Sequence, residues 1–410
     1  MTNEVHKSVS QSSPLSGVRV IELGSLIAGP FAGRLLADFG AEVIKIEDPK
    51  NHDPLRQWGI ERSQGRPLWW MVQSRNKKLI TLDLRSEKGK ELLFSLVSTT
   101  DVLVENFRPG TLEKWGIGPE ELWNVNPRLI IARVSGYGQT GRYSKQPGYA
   151  SVAEALGGMR YLNGSPGEPP PRSGLSLGDS LAGMFAFQGI LTALYWRDAK
   201  GGETGQMVDV SLVDSCFSML ESIVPEYGAV GAVRQPSGTG IKGLAPSNLF
   251  KTRDGKWIII AANQDSVFGR LTKAMGMPML AQDPKFSTHI ARGENQEEIE
   301  SIIADWASKY TSEELVRILS EASVAGGPVY TVADIFSDPY FRERELLIQL
   351  EDPVLGPITM PGIVPKLSQT PGEIKFAGQA DPGAHNREVY GGLLNLKPDE
   401  IEELSAAGAI

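Results

Sequence analysis

Apolar and polar positions along the chain fall into short runs and longer periodic stretches that take turns. Val18-Arg19-Val20-Ile21-Glu22-Leu23 is a strand-length apolar run ending at Gly24. Gly29 to Phe39 has helical spacing with small residues on one side, and Ala41 to Glu47 is a second run. β-branched residues in runs of four to eight bounded by glycine specify strands, and a 3.6-residue period specifies the helix between them. Further strand-like runs cover Leu79 to Leu84, Asp101 to Phe107 and Leu129 to Val134, with a helical stretch Ser86 to Val97 between the first two. This alternation predicts a largely parallel sheet covered by helices. A long apolar helix, Asp179 to Arg197, precedes a strand at Gln206 to Ser211 and a helix at Val213 to Ile223. The Gly- and Pro-containing stretch Glu226 to Ala245 breaks the pattern. Beyond it, a strand at Lys256 to Ala262 and helices at Gln296 to Lys309 and Ser312 to Ala322 predict a smaller second domain, and Pro- and Gly-rich loops carry the chain from Gly326 onward.

Composition narrows the class. A chain of 410 residues, 41% hydrophobic, buries a large core and is expected to make two domains. The formal net charge of -8, with no basic stripe to offset it, argues against a nucleic-acid partner. One cysteine, Cys216, excludes an intrachain disulfide framework, and the polar start Met1 to Ser16 lacks the apolar stretch of a secretory signal, so a cytoplasmic location is expected. The stretch Gly183 to Trp196 contains Gln188 and is read as too short to span a bilayer, so no membrane span is predicted.

Candidate chemistry follows by elimination. The four histidines, His6, His52, His289 and His385, and Cys216 show no metal-ligand spacing. There is no Gly-x-Ser-x-Gly elbow and no histidine near Cys216 in sequence, which leaves a carboxylate as the favoured nucleophile for acyl chemistry. Leu177-Gly178-Asp179-Ser180 supplies one where a loop turns into the long helix. A helix start keeps a carboxylate ionised and aims it at the loop, although Asp179 would equally serve as a plain N-cap. Strand one ends at Gly24 and strand two at Glu47, as in a dinucleotide fold. The loop, however, reads Gly24-Ser25-Leu26-Ile27-Ala28-Gly29-Pro30-Phe31-Ala32-Gly33 and lacks the tight first Gly-x-Gly, which argues against NAD or FAD.

Taken together, several motifs resemble the class III CoA-transferases, the family of formyl-CoA transferase and carnitine CoA-transferase, over about Leu15 to Leu394. They are Ala28-Gly29-Pro30, Gly40 to Glu47, Arg75-Asn76-Lys77, Asp101 to Gly110, Ser135-Gly136-Tyr137-Gly138, Gly178-Asp179 and Gly205 to Val210. Within the family the chain is most like the succinyl-CoA:dicarboxylate enzymes. The resemblance implies an α/β fold: a large Rossmann-like domain with a parallel sheet, a smaller α/β domain, and an interlocked homodimer. The corresponding division is 1–200 for the first part of the large domain, 201–225 for a linker, 226–330 for the small domain, and 331–410 for the return linker and the rest of the large domain.

The family's catalytic aspartate falls on Asp179. Its carboxylate would attack an acyl-CoA thioester to give a mixed anhydride and then an aspartyl-CoA thioester. Coenzyme A enters as substrate, and no metal or permanently bound cofactor is implied. By matched position, Ile27 and Ala28 would contact CoA through their backbone, Lys77 and Asn106 would hold the CoA moiety, and Lys114 stands where the formyl enzyme has an arginine. Tyr137 falls in the active-site loop, and Gly238, Thr239, Gly240 and Gly243 resemble the mobile glycine loop. Two departures affect the nucleotide side: Asp48 replaces an arginine and Ser135 a lysine. Arg172, seven residues before Asp179, is the candidate for gripping the distal carboxylate of a dicarboxylate substrate, with Arg75 and Arg108 behind it. Two alternatives stand beside the transferase. An α-methylacyl-CoA racemase would need a histidine where Gly148-Tyr149-Ala150 stands. A non-catalytic acyl-CoA-binding protein would have no use for Asp179.

Overall fold

The computed structural model describes residues 13–410; His6 and most of the polar start lie outside the described residues. Six strands form the main sheet: β1 (Arg19–Glu22), β2 (Glu42–Glu47), β3 (Lys77–Thr81), β4 (Val102–Glu105), β5 (Ile130–Ser135) and β6 (Met207–Ser211). All five pairings are parallel, in the spatial order 3-2-1-4-5-6. That is the order of a doubly wound sheet, which reverses direction between β1 and β4 and opens a crevice at the carboxyl ends there.

Neighbouring strand residues point to opposite faces, and here both faces are covered. Ile21, Ile44, Leu103 and Ile131 belong to one core, against Leu92 and Leu96 of α2 (Glu87–Val97). Val20, Val43, Val102 and Ile130 belong to the other, against Leu36 of α1 (Ala28–Asp38) and Ile190 of the helix Leu177–Ala199.

That long helix, which we call α4, follows α3 (Ala150–Leu156) and precedes α5 (Leu212–Phe217). Its 23 residues are enough to cross a membrane by length and composition, so the expectation that it is too short is corrected. It is a core helix nonetheless, packed on α1 and β5. Gly183 lets α1 and α4 approach closely: a Cβ there would lie 2.8 Å from Ala28 O and from the Phe31 ring.

The chain divides into two compact units. The first comprises residues up to Met159, Ser173–Glu221 and Tyr340–Ile410; the second comprises Arg160–Arg172 and Ser222–Pro339. The linker expected at 201–225 is therefore corrected: it contains β6, which completes the main sheet, and α5. The helix expected at Val213 to Ile223 ends at Phe217; Glu221 takes a left-handed φ of 50°, through which no helix continues, and a new helix, Ile223–Val230, starts in the second unit. The second unit has a three-stranded antiparallel sheet, Ala325–Pro328 beside Trp257–Ala261 beside Ser247–Lys251, with Gln296–Ala307 and Ser312–Glu321 among its helices.

The last portion, expected to be loops, instead holds the hairpin Leu347–Asp352 and Gly356–Pro361 and the helices Asn386–Leu394 and Pro398–Ala406. This return segment covers the edge strand β3: Leu79 N–H donates to His385 Nδ1, Thr81 N–H to Asn386 Oδ1, and the buried Tyr390 hydroxyl to Thr81 O. Edge coverage of this kind removes a template for unwanted strand pairing.

Arg75, a candidate for substrate binding in the sequence, is reassigned. Its guanidinium is buried and holds Asp38 through two bonds of 2.9 and 2.6 Å while donating to Pro361 O at 2.6 Å. It ties the end of α1 to the return hairpin. Asp38→Ala leaves that guanidinium buried without its counter-charge and is expected to cost about 3 to 5 kcal/mol, against under about 1 kcal/mol for removing the exposed Lys88–Glu91 pair. Urea denaturation of the two variants checks this; equal midpoints would show that the Arg75–Asp38 pair is not structural.

Candidate active site

The site grows out of a buried charge cluster under the first loop. Glu22 ends β1, and Lys45 lies beside it in register on β2. The Glu22 carboxylate accepts Lys45 Nζ at 3.1 Å and Lys77 Nζ, from β3, at 2.7 Å. Lys45 also reaches Gly24 O at 2.7 Å and Asp53 at 2.9 Å, and Asp53 accepts the Leu26 N–H at 3.0 Å. Burial opposes the Lys45 charge, but Asp53, Glu22 and Glu47 together raise its pKa; Lys77, with Glu22 alone as its acidic neighbour, is drawn down by burial to about 8. Leu26 sits at a left-handed φ of 64°, a strained position for a branched side chain that its bond to Asp53 helps to hold. On the other side, Asn106 closes a two-way clasp on Ser25, accepting its N–H and donating to its carbonyl, each at 2.8 Å. The loop Gly24–Ile27 is thus fixed from below and from β4.

Two clefts open at this loop. The first, 230 Å³, is lined by Ile27, Ala28, Asn106, Arg108, Ser135, Gly148 and Asp179 among others. The second, 290 Å³, lies over the ends of β1 and β2 and is lined by Gly24, Glu47, Asp48, Asn51, His52, Arg85 and Trp115; both clefts share Ser25 and Phe107. Asp179 stands at the third position of α4, one turn in from Ser176, so the N-cap reading is corrected and the carboxylate projects from the positive end of the helix. The Ser135 hydroxyl is buried without a partner in the wall of the first cleft, a polar group left for a ligand to satisfy. Cys216, buried behind Gly178, has its thiol pushed up to about 11 by burial, with the charges of Glu154 and Asp179 adding, so it does not compete as a nucleophile.

Of the residues expected from sequence, Ile27, Ala28, Asn106 and Asp179 meet in one cleft. Lys77 is corrected: fully buried, it spends its ammonium on Glu22 and on Pro30 O at 2.7 Å, and it lines neither cleft. Lys114 is exposed and lines neither cleft. The Tyr137 ring lies tilted beside Tyr143, next to the first cleft and against Gly148. Arg172, Gly238 and Gly240 belong to the second unit. There the glycine loop is pinned, Gly238 N–H to Gly164 O at 2.8 Å and Gly243 N–H to Gln296 at 2.9 Å.

The sequence reading passed over Arg85. Its guanidinium pairs with Asp48 and, at 3.0 Å, with Asp83, so the cleft whose β2 end carries Asp48 in place of an arginine receives a cation from the loop after β3. The signal was available in Asp83-Leu84-Arg85, two residues beyond the strand. Trp58, also in the first cleft, carried no such signal.

The profile of CoA-transferase family III matches residues 15–386. A succinyl-CoA–D-citramalate CoA-transferase of Chloroflexus aurantiacus is 49% identical over 97% of this chain and 98% of its own length. The human succinyl-CoA:glutarate CoA-transferase is 29% identical over 100% of this chain and 92% of its own length. Among solved structures, a CAIB/BAIF family protein from Brucella suis superposes with a TM-score of 0.81 at 31% identity, covering 93% of this chain and all of that one. The match across most of the chain, joined to an aspartate facing a cleft at the sheet's reversal point, identifies this protein as a member of CoA-transferase family III.

Proposed function

We propose that the protein moves CoA from succinyl-CoA to a small dicarboxylic acid, with Asp179 as the covalent carrier. The observation that carries this reading is the Asp179 carboxylate in the first turn of α4, facing a cleft bounded by the pinned loop Gly24–Ile27. The names of the similar transferases, acting on citramalate, malate and glutarate, support the substrate class.

An Asp179 oxygen attacks the thioester carbonyl carbon, the C–S bond breaks, and CoA leaves as thiolate, giving a succinyl-aspartyl anhydride. The thiolate then attacks the Asp179 carbonyl carbon and expels succinate, leaving an aspartyl-CoA thioester. An incoming carboxylate displaces the thiolate to form a second anhydride, and the thiolate attacks that acid's carbonyl, releasing the new acyl-CoA and the free Asp179 carboxylate. Electrons and atoms balance without water or a net proton. Backbone N–H groups of the surrounding loops are the donors available to the developing oxyanion. For the nucleotide end of CoA we assign the second cleft, with Arg85 for phosphate and the Phe107–Trp115 pair, centroids 5.2 Å apart, as an apolar wall. Arg108, in the first cleft beside the shared Phe107, is assigned to the pyrophosphate.

A racemase would need an acid and a base on opposite faces of the α-carbon. Among the described residues lining the Asp179 cleft there is no histidine, which favours transfer. The interlocked homodimer belongs to the same proposal. It is supported by the large apolar side chains that α4 leaves uncovered, Met184 at 54% and Tyr195 at 57% exposure.

Asp179→Ala is expected to abolish transfer while CoA still binds. Borohydride added to wild type with succinyl-CoA should give a mass change on the Asp179 peptide, and an active Asp179→Ala enzyme would refute the mechanism. Arg85→Met should raise KM for every CoA thioester about tenfold or more, whatever the acid, since a charge-assisted bond to phosphate is lost. Arg172→Met should raise KM for dicarboxylates and spare acetate or butyrate; equal loss for both acid classes removes Arg172 from the site. In sedimentation the protein should stay dimeric on dilution until it unfolds, and a folded monomer at nanomolar concentration would exclude interlocked chains.

A further inference from the structure

Helix α3 carries a carboxylate that the transfer chemistry does not use. Glu154 is 4% exposed, and its Oε1 accepts the N–H of Gly178, the residue before Asp179, at 3.2 Å. Among the described residues no lysine, arginine or histidine forms an ion pair with it. On the helices packed against α3 the ionisable groups are Asp179, in the first turn of α4, with Tyr195, Arg197 and Asp198 in its last two turns, and Asp214 and Cys216 on α5. Taking a carboxylate out of water without a cation is costly, and what compensates here is the Gly178 N–H at the positive end of α4.

The surroundings leave that turn little freedom inward. A Cβ on Gly178 would lie 3.3 Å from Ala150 Cβ, from Ala150 O and from Cys216 Sγ, and one on Gly157 would lie 2.7 Å from Cys216 Cβ. No side chain caps α4 from its own N-cap, Ser176. Glu154 therefore does from a neighbouring helix what an N-cap side chain does from within. The backbone it grips carries the nucleophile.

We propose that Glu154 is a positioning residue for the transferase reaction: by accepting the Gly178 N–H it fixes the first turn of α4 and so the direction in which Asp179 meets the thioester. The proposal rests on Asp179 being the nucleophile. A small error in the angle of attack slows a covalent step far more than it weakens binding of a large ligand held elsewhere.

The test is single-turnover acylation of Asp179 by succinyl-CoA in the full-length protein, quenched and followed by peptide mass, with CoA affinity and thermal midpoint measured alongside. Glu154→Leu should acylate about tenfold more slowly or worse, with CoA affinity unchanged. Glu154→Gln keeps an acceptor oxygen in place and should recover to within about threefold of wild type. Should Glu154→Leu fail to fold, Glu154→Asp, whose shorter reach breaks the bond, carries the test and should be slow. Acylation of Glu154→Leu at the wild-type rate, loss of CoA binding in step with rate, or a Glu154→Gln as slow as Glu154→Leu would each overturn the proposal. A wild-type enzyme that never acylates at Asp179 would instead overturn the nucleophile assignment, and this proposal with it.

Discussion

One carboxylate shared by two buried ammonium groups governs this structure. Glu22, Lys45 and Lys77 come from three adjacent strands and have almost no contact with water. Such a group is unlike an apolar contact, because it tolerates no slippage: removing one partner strands a charge in a low-dielectric interior. Gly33 makes the arrangement possible, since a Cβ at that point of α1 would lie 1.9 Å from the Glu22 carboxylate. The same Lys45 ammonium takes the Gly24 carbonyl and Asp53, and Asp53 takes the Leu26 N–H. An ion cluster inside the sheet is thereby continuous with the loop that forms the floor of both clefts.

The strand order does the rest. With β1 and β4 adjacent and their following connections passing to opposite sides, a crevice opens at their carboxyl ends without any special packing. A dinucleotide fold fills that crevice by bringing glycine backbone up to a pyrophosphate. This protein keeps the crevice, replaces the tight turn with the clasped loop around Ser25 and Asn106, and sets a carboxylate from α4 across from it. The proposed nucleophile comes from outside the motif that builds the crevice, so a familiar sheet can host a different chemistry.

What was legible in the sequence was the order of elements and the residues whose role is carried by backbone position. Ile27, Ala28, Asn106 and Asp179 all follow strand ends or begin helices, and a motif match locates such points well. It does not say which way a strand side chain points. Lys77 and Arg75 flank Asn76 in one motif and both turn into the interior, Lys77 because it opens β3 beneath α1 and Arg75 because Asp38 lies at the end of that helix. Arg85 fell between the predicted strand Leu79 to Leu84 and the predicted helix from Ser86 and was given no role, yet it lines the cleft. The assignment of 160–172 to the second unit had no compositional mark, since its stability comes from contacts distant in sequence, such as Gly238 with Gly164. Likewise, the helix Asn386–Leu394 holds its place by covering β3, and Pro398–Ala406 by packing on that helix, rather than by strong periodicity of their own.

The chemistry constrains specificity in a way that the fold alone does not. In the proposed transfer the departing acid and the entering acid each form an anhydride with the same Asp179 carbonyl, so each must lie along the same line from that atom. A cation placed to hold the distal carboxylate of one acid therefore holds that of the other, and donor and acceptor selectivity cannot be tuned independently by a change at that position. Discrimination between two dicarboxylates must come instead from the apolar and hydroxyl groups along their backbones, where a missing or extra methylene is worth about 1 to 3 kcal/mol and a polar group left unpaired in the wall costs more. The unpartnered Ser135 hydroxyl in the Asp179 cleft is a group of that second kind.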